Sequence, residues 1–537
     1  KKLRRLSSIK LVFIMSINNY QFSTKFTFMK NVNFFLLFFL VFAGFQLQAQ
    51  QVRYVDMVFD DYEVETQIYG NNYTVLTVPI TGSTTLRPLL MDIYSPPAED
   101  METERPVVLY FHTGNFLPHP ENGSTGGTMK DSTVVEIASR LARMGYVCGV
   151  VDYRKGWNPL ASTQEERTNT LINAAYRGVQ DARTAVRFLK KSVAEEGNPY
   201  GVDTTRIAAW GQGTGGYISF ATTTIDEYLD IVLPKFIGQD ITGDGNPDPM
   251  VLQPIHGNPD ATSLGINPLN GDTLCLPNHT EGYGSDFDLC VNMGGALGDT
   301  SWIDEGDNPF ISFHVPTDPF APYTEGILIV PTTNEQVVEV QGSYLVAQKA
   351  NDLGINDIFV MAEIDDAVTD VANSRNDGLE GLYPLLGSNP LDSGPWEWWN
   401  PETNVNHENG IQTNPDMSAE KARTYIDTIM AYYAPRACAA LALPCSPLGT
   451  DDNLLNADQV GLVTAPNPAT EVVYLQTNPE YPITDMLLYD MSGRLVQSQF
   501  NISENDIEIR RQDLSSGMYF ARLRFEEGML VQKIVFK

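Results

Sequence analysis

The most constraining feature of the chain is a short run in which an apolar strand passes through clustered glycines directly into an apolar helix. Residues 207–210 (Ile-Ala-Ala-Trp) have the character of a buried strand, and a helical pattern starts at Tyr217. The residues between them include Gly211, Gly213, Gly215 and Gly216. Glycine adopts backbone conformations that are closed to other residues, so it permits a sharp bend. The pattern predicts a tight strand-to-helix turn with Gly213 at its apex.

Strands and helices alternate along the middle of the chain. Buried strands are predicted at residues 106–111, 146–151, 207–210, 310–313 and 357–361. Helical spacing predicts helices near residues 134–142, 175–189, 337–353 and 419–443. Such alternation is typical of a mostly parallel sheet with helices on both faces.

We therefore predict an α/β domain over residues 50–445. Residues 52–94 alternate apolar and polar side chains and are expected to form antiparallel strands that lead into the domain. Residues 222–308 are rich in Gly, Pro, Asn and Asp, and we expect them to form a cap or loop-rich insert.

The chain is strongly acidic. Its 67 Asp and Glu against 35 Lys and Arg give a net charge of −32. Binding to phosphates requires clustered Lys and Arg, so this charge argues against a nucleic acid or an anionic membrane as partner.

A secretory signal is predicted near the start. The apolar run at residues 34–45 follows Lys30 and precedes Ala49, which gives a charged start, a short apolar middle and a small-residue exit. The run is too short to span a bilayer. We expect residues 1–49 to comprise an over-extended start (1–28) and a signal peptide cleaved near Ala49, and the mature chain to have no transmembrane span.

Export makes disulfides possible, and four of the five cysteines fall into close pairs. Cys275 with Cys290 and Cys438 with Cys445 are the candidate pairs, with the connectivity left open. Cys148 lies in an apolar strand pattern, which predicts a buried free thiol. The spacings do not form a zinc knuckle.

One segment of the insert resembles a calcium loop in its spacing. Oxygen-bearing side chains occur at alternate positions: Asp240, Thr242, Asp244, Asn246 and Asp248. The twelfth position, where a bidentate Glu is expected, is Val251. A calcium site and a plain Asp/Gly turn both remain open, and no cofactor is expected for catalysis.

The end of the chain changes character again. Residues 446–462 are expected to be a linker, and residues 463–537 form brief alternating strands typical of a small all-β, immunoglobulin-like sandwich. Residues 465–469, 488–494, 514–519 and 531–537 resemble the C-terminal sorting domain of cargo for the bacterial type IX secretion system. The resemblance implies the secretion machinery as partner, and a secreted or outer-surface location in a Gram-negative bacterium.

Residues 85–440 resemble the carboxylesterase and lipase branch of the α/β-hydrolases. The matching segments are residues 91–94, the loop at His112, residues 151–154, residues 201–203 and the glycine turn. That turn has the frame of the family's nucleophile elbow, G-x-S-x-G, with Gly213 in place of the serine.

The resemblance implies positions for a catalytic triad. Gly213 stands at the nucleophile position and lacks a side chain, and Thr214 is the alternative nucleophile. Asp318 is the candidate acid, or else a turn-forming Asp before proline. His407 is the candidate base, or else an exposed histidine of a polar loop.

The resemblance also implies an oxyanion hole, made of backbone N–H groups that bind the developing negative charge. Gly114 and Asn115 follow a strand in the place of the family's H-G-G-G loop, and Thr214 follows the nucleophile position. The alternative for the loop is a plain turn after a strand.

Two functions follow from these positions. The first is a catalytically disabled, esterase-like protein that binds a small ester-like or carbohydrate ligand. The second is an active carboxylic-ester hydrolase with an atypical nucleophile such as Thr214. The cluster at residues 396–399, with three tryptophans, could stack on sugars or pack against the closing helix.

Overall fold

The computed structural model describes residues 51–329, 335–445, 455–489, 495–499, 502–512, 514–525 and 528–537. The predicted signal segment, residues 1–49, and the first nine residues of the predicted linker, 446–454, lie outside the described residues.

In chain order the strands are β1 (Glu63–Thr74), β2 (Thr85–Ser95), β3 (Arg105–Phe111), β4 (Val147–Asp152), β5 (Val202–Gln212), β6 (Gly265–Ile266), β7 (Thr273–Cys275), β8 (Leu289–Met293), β9 (Ala296–Leu297), β10 (Phe310–His314), β11 (Glu325–Ile329), β12 (Gln336–Gly342), β13 (Leu382–Pro384), β14 (Val463–Ala465), β15 (Val472–Gln476), β16 (Asp485–Tyr489), β17 (Leu495–Gln499), β18 (Asp506–Arg510), β19 (Gly517–Phe525) and β20 (Gly528–Phe536). The helices are α1 (Val78–Thr81), α2 (Ser132–Met144), α3 (Gln164–Glu196), α4 (Thr214–Thr224), α5 (Gln253–His256), α6 (Ser343–Asp352), α7 (Asp357–Met361), α8 (Ala367–Asn373), α9 (His407–Gly410), α10 (Ala419–Ala440) and α11 (Ala457–Val460). Short 3₁₀ turns occur at Tyr228–Ile231, Pro234–Phe236 and Thr300–Trp302.

An eight-stranded sheet forms the centre of the α/β domain, in the order β1-β2-β4-β3-β5-β8-β10-β13. The first two strands pair antiparallel with each other, and β2 pairs antiparallel with β4. From β4 to β13 every pairing is parallel. The carboxyl ends of the parallel strands therefore meet at one edge, where a site can form.

Helices cover both faces of this sheet, as the sequence predicts. Alternate residues of β3 point to opposite faces, so Val107 and Leu109 pack with α3 and α4 while Val108 and Tyr110 pack with α2 and α10. Every residue of β3 is buried. A strand that is covered on both faces has an uninterrupted apolar sequence for this reason.

The predicted strand at residues 357–361 is wrong, because these residues form helix α7. Its neighbour Asn356 binds the backbone of Phe310 through both side-chain atoms, at 2.9 and 3.2 Å. The last strand of the sheet is instead β13, which pairs with β10. A five-residue apolar run does not distinguish a strand from one turn of buried helix.

Two further stretches differ from the expectation. The predicted insert 222–308 contains β8, which lies inside the central sheet between β5 and β10, so the excursion covers residues 225–288. The predicted helix at 337–353 begins as β12 and becomes helical only in α6.

One predicted disulfide is confirmed and the other is not. Cys438 and Cys445 are bonded at the end of α10. Cys275 and Cys290 are both free and buried, because one belongs to β7 of the excursion and the other to β8 of the central sheet. Cys148 is a buried free thiol, as predicted.

The C-terminal region is all-β. Its antiparallel strands form the sheets β14-β15-β18 and β17-β16-β19-β20, with their own apolar cluster. Residues 490–494 of one sequence landmark are outside the described ranges. Among the residues described, no helix combines the length and the apolar character needed to cross a bilayer.

Candidate functional site

The predicted turn exists, and Gly213 is its apex. Strand β5 ends at Gln212 and helix α4 starts at Thr214, with Gly213 between them at φ +54° and ψ −117°. The Gly213 N–H donates to the carbonyl of Met293 at 2.7 Å, which ties the apex to the end of β8. A positive φ with this ψ is a strained conformation for residues other than glycine.

The flanking glycines are required by close backbone contacts. A Cβ atom on Gly211 would lie 2.0 Å from the carbonyl oxygen of Gly215. A Cβ on Gly215 would lie 1.9 Å from the carbonyl oxygen of Phe111, and one on Gly216 would lie 2.1 Å from Asn292 Oδ1. These distances are far inside van der Waals contact, so α4 approaches the sheet edge only because the residues lack side chains.

The space above Gly213 is occupied by Thr113. A Cβ on Gly213 would lie 2.3 Å from Thr113 Oγ1 and 3.0 Å from Thr113 Cβ. A serine at this position would therefore collide with the threonine. Sequence reasoning missed Thr113, although one signal was present: it stands where the H-G-G-G loop has its first glycine.

The candidate oxyanion amides lie in the loop after β3 and at the start of α4. Gly114 and Asn115 have φ of +128° and +56°, and helix α4 begins with Thr214. Within the described part of the chain, the backbone N–H groups of these three residues have no hydrogen-bond partner. Free N–H groups at a helix start and in a loop of this kind can bind a carbonyl oxygen or an anion.

The hydroxyl of Thr214 has no base beside it. Thr214 Oγ1 lies 3.4 Å from the hydroxyl of Tyr153, which is 2.8 Å from the carbonyl oxygen of His112 and donates to it. Burial raises the pKa of Tyr153 well above its ordinary value, so this phenol does not accept a proton from Thr214.

Asp318 follows β10 and lines the same cavity as Gly213. Its Oδ1 accepts hydrogen bonds from the N–H groups of Phe320 at 2.8 Å and Ala321 at 3.3 Å. Its Oδ2 lies 4.0 Å from His314 Nε2, but that ring nitrogen is 3.0 Å from the carbonyl oxygen of Ala321 and donates to it. Burial raises the pKa of Asp318 to about 7.

His407 is not brought to this cavity. It starts the short helix α9, and its Nδ1 accepts a hydrogen bond from Trp399 Nε1 at 3.1 Å. Trp399, Asn409 and Gly410 line the cavity, whereas His407 does not. The structure therefore gives Asp318 no histidine of the kind that a triad requires.

Glu397 is a site residue that the sequence did not reveal. It lies in the loop after β13, lines the cavity, and accepts a hydrogen bond from Gln212 Nε2 at 2.7 Å. Gln212 Oε1 in turn accepts from the hydroxyl of Tyr110 at 2.7 Å. Burial raises the pKa of Glu397 to about 7. In the sequence it was visible only as part of the tryptophan cluster.

The cavity that these residues line has a volume of about 700 Å³. Apolar and aromatic residues from several segments form most of its wall: Phe116 after β3, Trp157 after β4, Tyr217 in α4, Trp302 in the 3₁₀ turn after β9, and Trp396 and Trp399 in the loop after β13. A largely apolar chamber with a few convergent polar groups is typical of a small-molecule site.

Two family models match the chain. Residues 91–241 match the model described as BD-FAE, an esterase/lipase-like α/β-hydrolase domain. Residues 465–537 match the model described as Secretion system C-terminal sorting domain. The chain joins an esterase-like α/β-hydrolase domain to a secretion sorting tail.

Solved structures to which this chain is similar include three of esterase 2 from Thermogutta terrifontis. The enzyme phosphorylated by paraoxon is 17% identical over 54% of this chain and 78% of that chain, with a TM-score of 0.30. The propionate-bound enzyme is 15% identical over 68% and 95%, with a TM-score of 0.33. The native enzyme is 14% identical over 69% and 92%, with a TM-score of 0.33. A comparison with curated proteins gives no match.

The family match to the esterase-like domain covers part of the site. It includes Thr113, Gly213 and Thr214, and it ends before Asp318 and Glu397. The two carboxyl groups are therefore known here from the fold alone, as the side chains that follow the last two strands of the sheet.

The candidate calcium loop of the esterase-like domain is internally bonded. Asp240 accepts from the N–H groups of Gly243, Asp244 and Gly245, and Asp248 accepts from those of Ile241 and Thr242. Among described residues, no cluster of three or more His, Cys, Asp or Glu is placed to hold a metal ion. Calcium binding by Asp240, Thr242, Asp244, Asn246 and Asp248 stays a prediction.

Proposed function

We propose that the esterase-like domain is a ligand-binding module that holds a small ester-like or carbohydrate molecule without cleaving it through a serine-type acyl-enzyme. The observation that carries this proposal is the pairing of Gly213 with Thr113. The apex has no nucleophilic side chain, and the hydroxyl of Thr113 fills the space that a serine would use.

The missing base supports the same conclusion. Asp318 has backbone N–H groups and the neutral ring of His314 as neighbours, and His407 is engaged with Trp399 outside the cavity. Loss of the serine or the histidine from such machinery costs on the order of a millionfold in turnover. The serine and the histidine work together in one catalytic triad, so the absence of either is enough to abolish hydrolysis at this site.

The parts of the site that would bind a substrate, the oxyanion amides and the cavity, are present. The free N–H groups of Asn115 and Thr214 suit a carbonyl oxygen, and the cavity of about 700 Å³ accommodates an acyl, aryl or sugar group. Binding therefore needs no change to the fold.

Hydrolysis of short-chain p-nitrophenyl esters tests the proposal. We expect the parent protein and Gly213→Ser to match the buffer blank, because the new serine collides with Thr113. The double variant Thr113→Gly/Gly213→Ser makes room for the side chain. Because this variant still lacks a base, we expect its turnover to stay on the order of a millionfold below that of a serine esterase with a complete triad.

Asp318→Ala and Thr214→Ala complete the set. Turnover by the parent protein that disappears in Asp318→Ala would show a working acyl hydrolase and end the proposal. Additional loss in Thr214→Ala would identify Thr214 as the atypical nucleophile. Thr113→Val is the matched control for Thr113, since it keeps the shape and removes the hydroxyl.

We propose further that the protein reaches the outer surface or the medium through its signal peptide and its sorting tail. The family match over residues 465–537 supports the second signal. Deletion of residues 463–537 should leave the esterase-like domain in the periplasm, and cell fractionation measures this. Export of the truncated chain at the parent level would contradict the proposal.

A further inference from the structure

The charges inside the cavity are all of one sign. Among the described residues that line it, Asp318 and Glu397 are acidic, and none is Lys, Arg or His. The described lining therefore carries an excess of carboxyl groups.

Neither carboxyl has a cationic partner within the described structure. Asp318 is held by two backbone N–H groups and Glu397 by the neutral amide of Gln212. The nearest imidazole, that of His314, is buried, and burial lowers its pKa to about 4, so it is neutral near pH 7. Ionised carboxylates that are buried are costly without a positive partner.

The walls of the cavity indicate two further properties of a ligand that it would bind. Trp157, Trp396 and Trp399 line the chamber, and indole rings attract organic cations as well as apolar groups. The free backbone N–H groups of Asn115 and Thr214, which line the same chamber, suit an oxygen atom of the ligand.

We propose that the cavity selects an organic amine: a ligand with an ammonium group that meets Asp318 and Glu397, an apolar or aromatic body, and a carbonyl or hydroxyl oxygen. This inference rests on the proposed binding function and names its ligand class. Ligands that end in a carboxylate are disfavoured, because their charge repeats that of the chamber.

The affinity should depend on pH. Besides each other, the two carboxyls interact with His314, Tyr217, Asp131 and Tyr110. None of them is cationic at neutral pH, and the pKa of each carboxyl is raised to about 7. Affinity for an amine therefore rises between about pH 5 and about pH 8.5, while an alkyl amine stays protonated over this range.

Three probes that share a phenyl ring and a four-carbon chain test the inference: 4-phenylbutylamine, 4-phenylbutan-1-ol and 4-phenylbutyrate. Calorimetric titration of the parent protein at about pH 8 should give tightest binding for the amine, at least about tenfold over the alcohol, and weakest for the carboxylate. At about pH 5 the preference for the amine should collapse.

Isosteric variants assign the preference to the two residues. Asp318→Asn/Glu397→Gln keeps the acceptor oxygens that bind Phe320, Ala321 and Gln212, and it should bind amine and alcohol equally. The control Asp60→Asn/Glu99→Gln removes the same charge from two exposed positions and should leave the preference intact.

The outcomes separate this inference from the proposed function. Equal binding of alcohol and amine by the parent protein, or a preference that survives Asp318→Asn/Glu397→Gln, overturns the amine assignment and leaves a binding module. Failure of all three probes to bind at millimolar concentration overturns the amine assignment as well. Ester turnover by the parent protein ends the proposed function, and the ranking of the three probes then decides the amine assignment by itself.

Discussion

At the scale of single residues, the site is defined by Gly213, which lacks a side chain, and Thr113, whose hydroxyl fills the space above it. Gly213 could be identified from the sequence because the G-x-S-x-G frame marks its place. Thr113 could not, because its contact with Gly213 joins the ends of two strands, β3 and β5, and such contacts leave no local pattern. The same holds for Glu397, which reaches Gln212 from 185 residues away.

The flanking glycines give the first prediction. In Gly215→Ala the new methyl group would meet the carbonyl oxygen of Phe111, so we expect a loss of about 3 kcal/mol or more in stability. Ala98→Ser is the control, since it adds one atom at an exposed position of the same domain. All six tryptophans lie between residues 157 and 399, so thermal unfolding followed by tryptophan fluorescence reports on the α/β domain. Equal midpoints for the two variants would contradict the tight packing at the turn.

The second prediction concerns the thiols. Cys148, Cys275 and Cys290 are free, so the protein denatured without reductant should react with three equivalents of a thiol reagent. A pairing of Cys275 with Cys290 would leave one equivalent and refute this assignment.

At the scale of elements, the sequence predicted what has strong periodicity. Helices α2, α3 and α10 and strands β3, β4 and β5 were found because long apolar stripes or uninterrupted apolar runs mark them. Strand β8 was missed because its sequence, Leu-Cys-Val-Asn-Met, includes a polar residue that binds within the core: Asn292 contacts Ser343 and Gly295. Tertiary hydrogen bonds of this kind are not encoded in local pattern.

The third prediction tests the end of α10. The disulfide closes a loop between residues seven apart in sequence, and loop-closure entropy gives it about 2.5 kcal/mol. Cys438→Ser/Cys445→Ser should therefore unfold at a lower temperature than the parent protein in the tryptophan fluorescence assay. Ala439→Ser, on the same turn of α10, controls for adding a hydroxyl. An unchanged midpoint in the cysteine variant would mean that this helix end does not take part in cooperative unfolding.

At the scale of the whole molecule, an α/β fold encloses a cavity whose described charged lining residues are both acidic. The central sheet, its helices and the all-β tail could be predicted from the sequence, since composition and periodicity decide fold class. The cavity could not, because its walls come from distant segments that only the folded chain brings together. Its acidic interior agrees in sign with the net charge of −32.

The fourth prediction is a pH dependence of stability. The pKa of Glu397 is about 7 in the folded protein and about 4.5 when unfolded, so between these values the folded state binds more protons and its stability falls as pH rises. Glu397→Gln removes this loss. Relative to the parent protein, the variant should gain about 1–2 kcal/mol between about pH 5 and about pH 8, after allowance for solvent screening of a half-buried group. The exposed Glu99→Gln should show no such gain, and a parallel profile for both variants would refute the assignment.

The most direct test of the central claim is to treat the native protein with a fluorophosphonate and measure its intact mass. A site with only hydrogen at the apex of the turn, and no base beside Thr214, should show no increase in mass. A stoichiometric adduct that maps to the wall of the cavity would contradict the account.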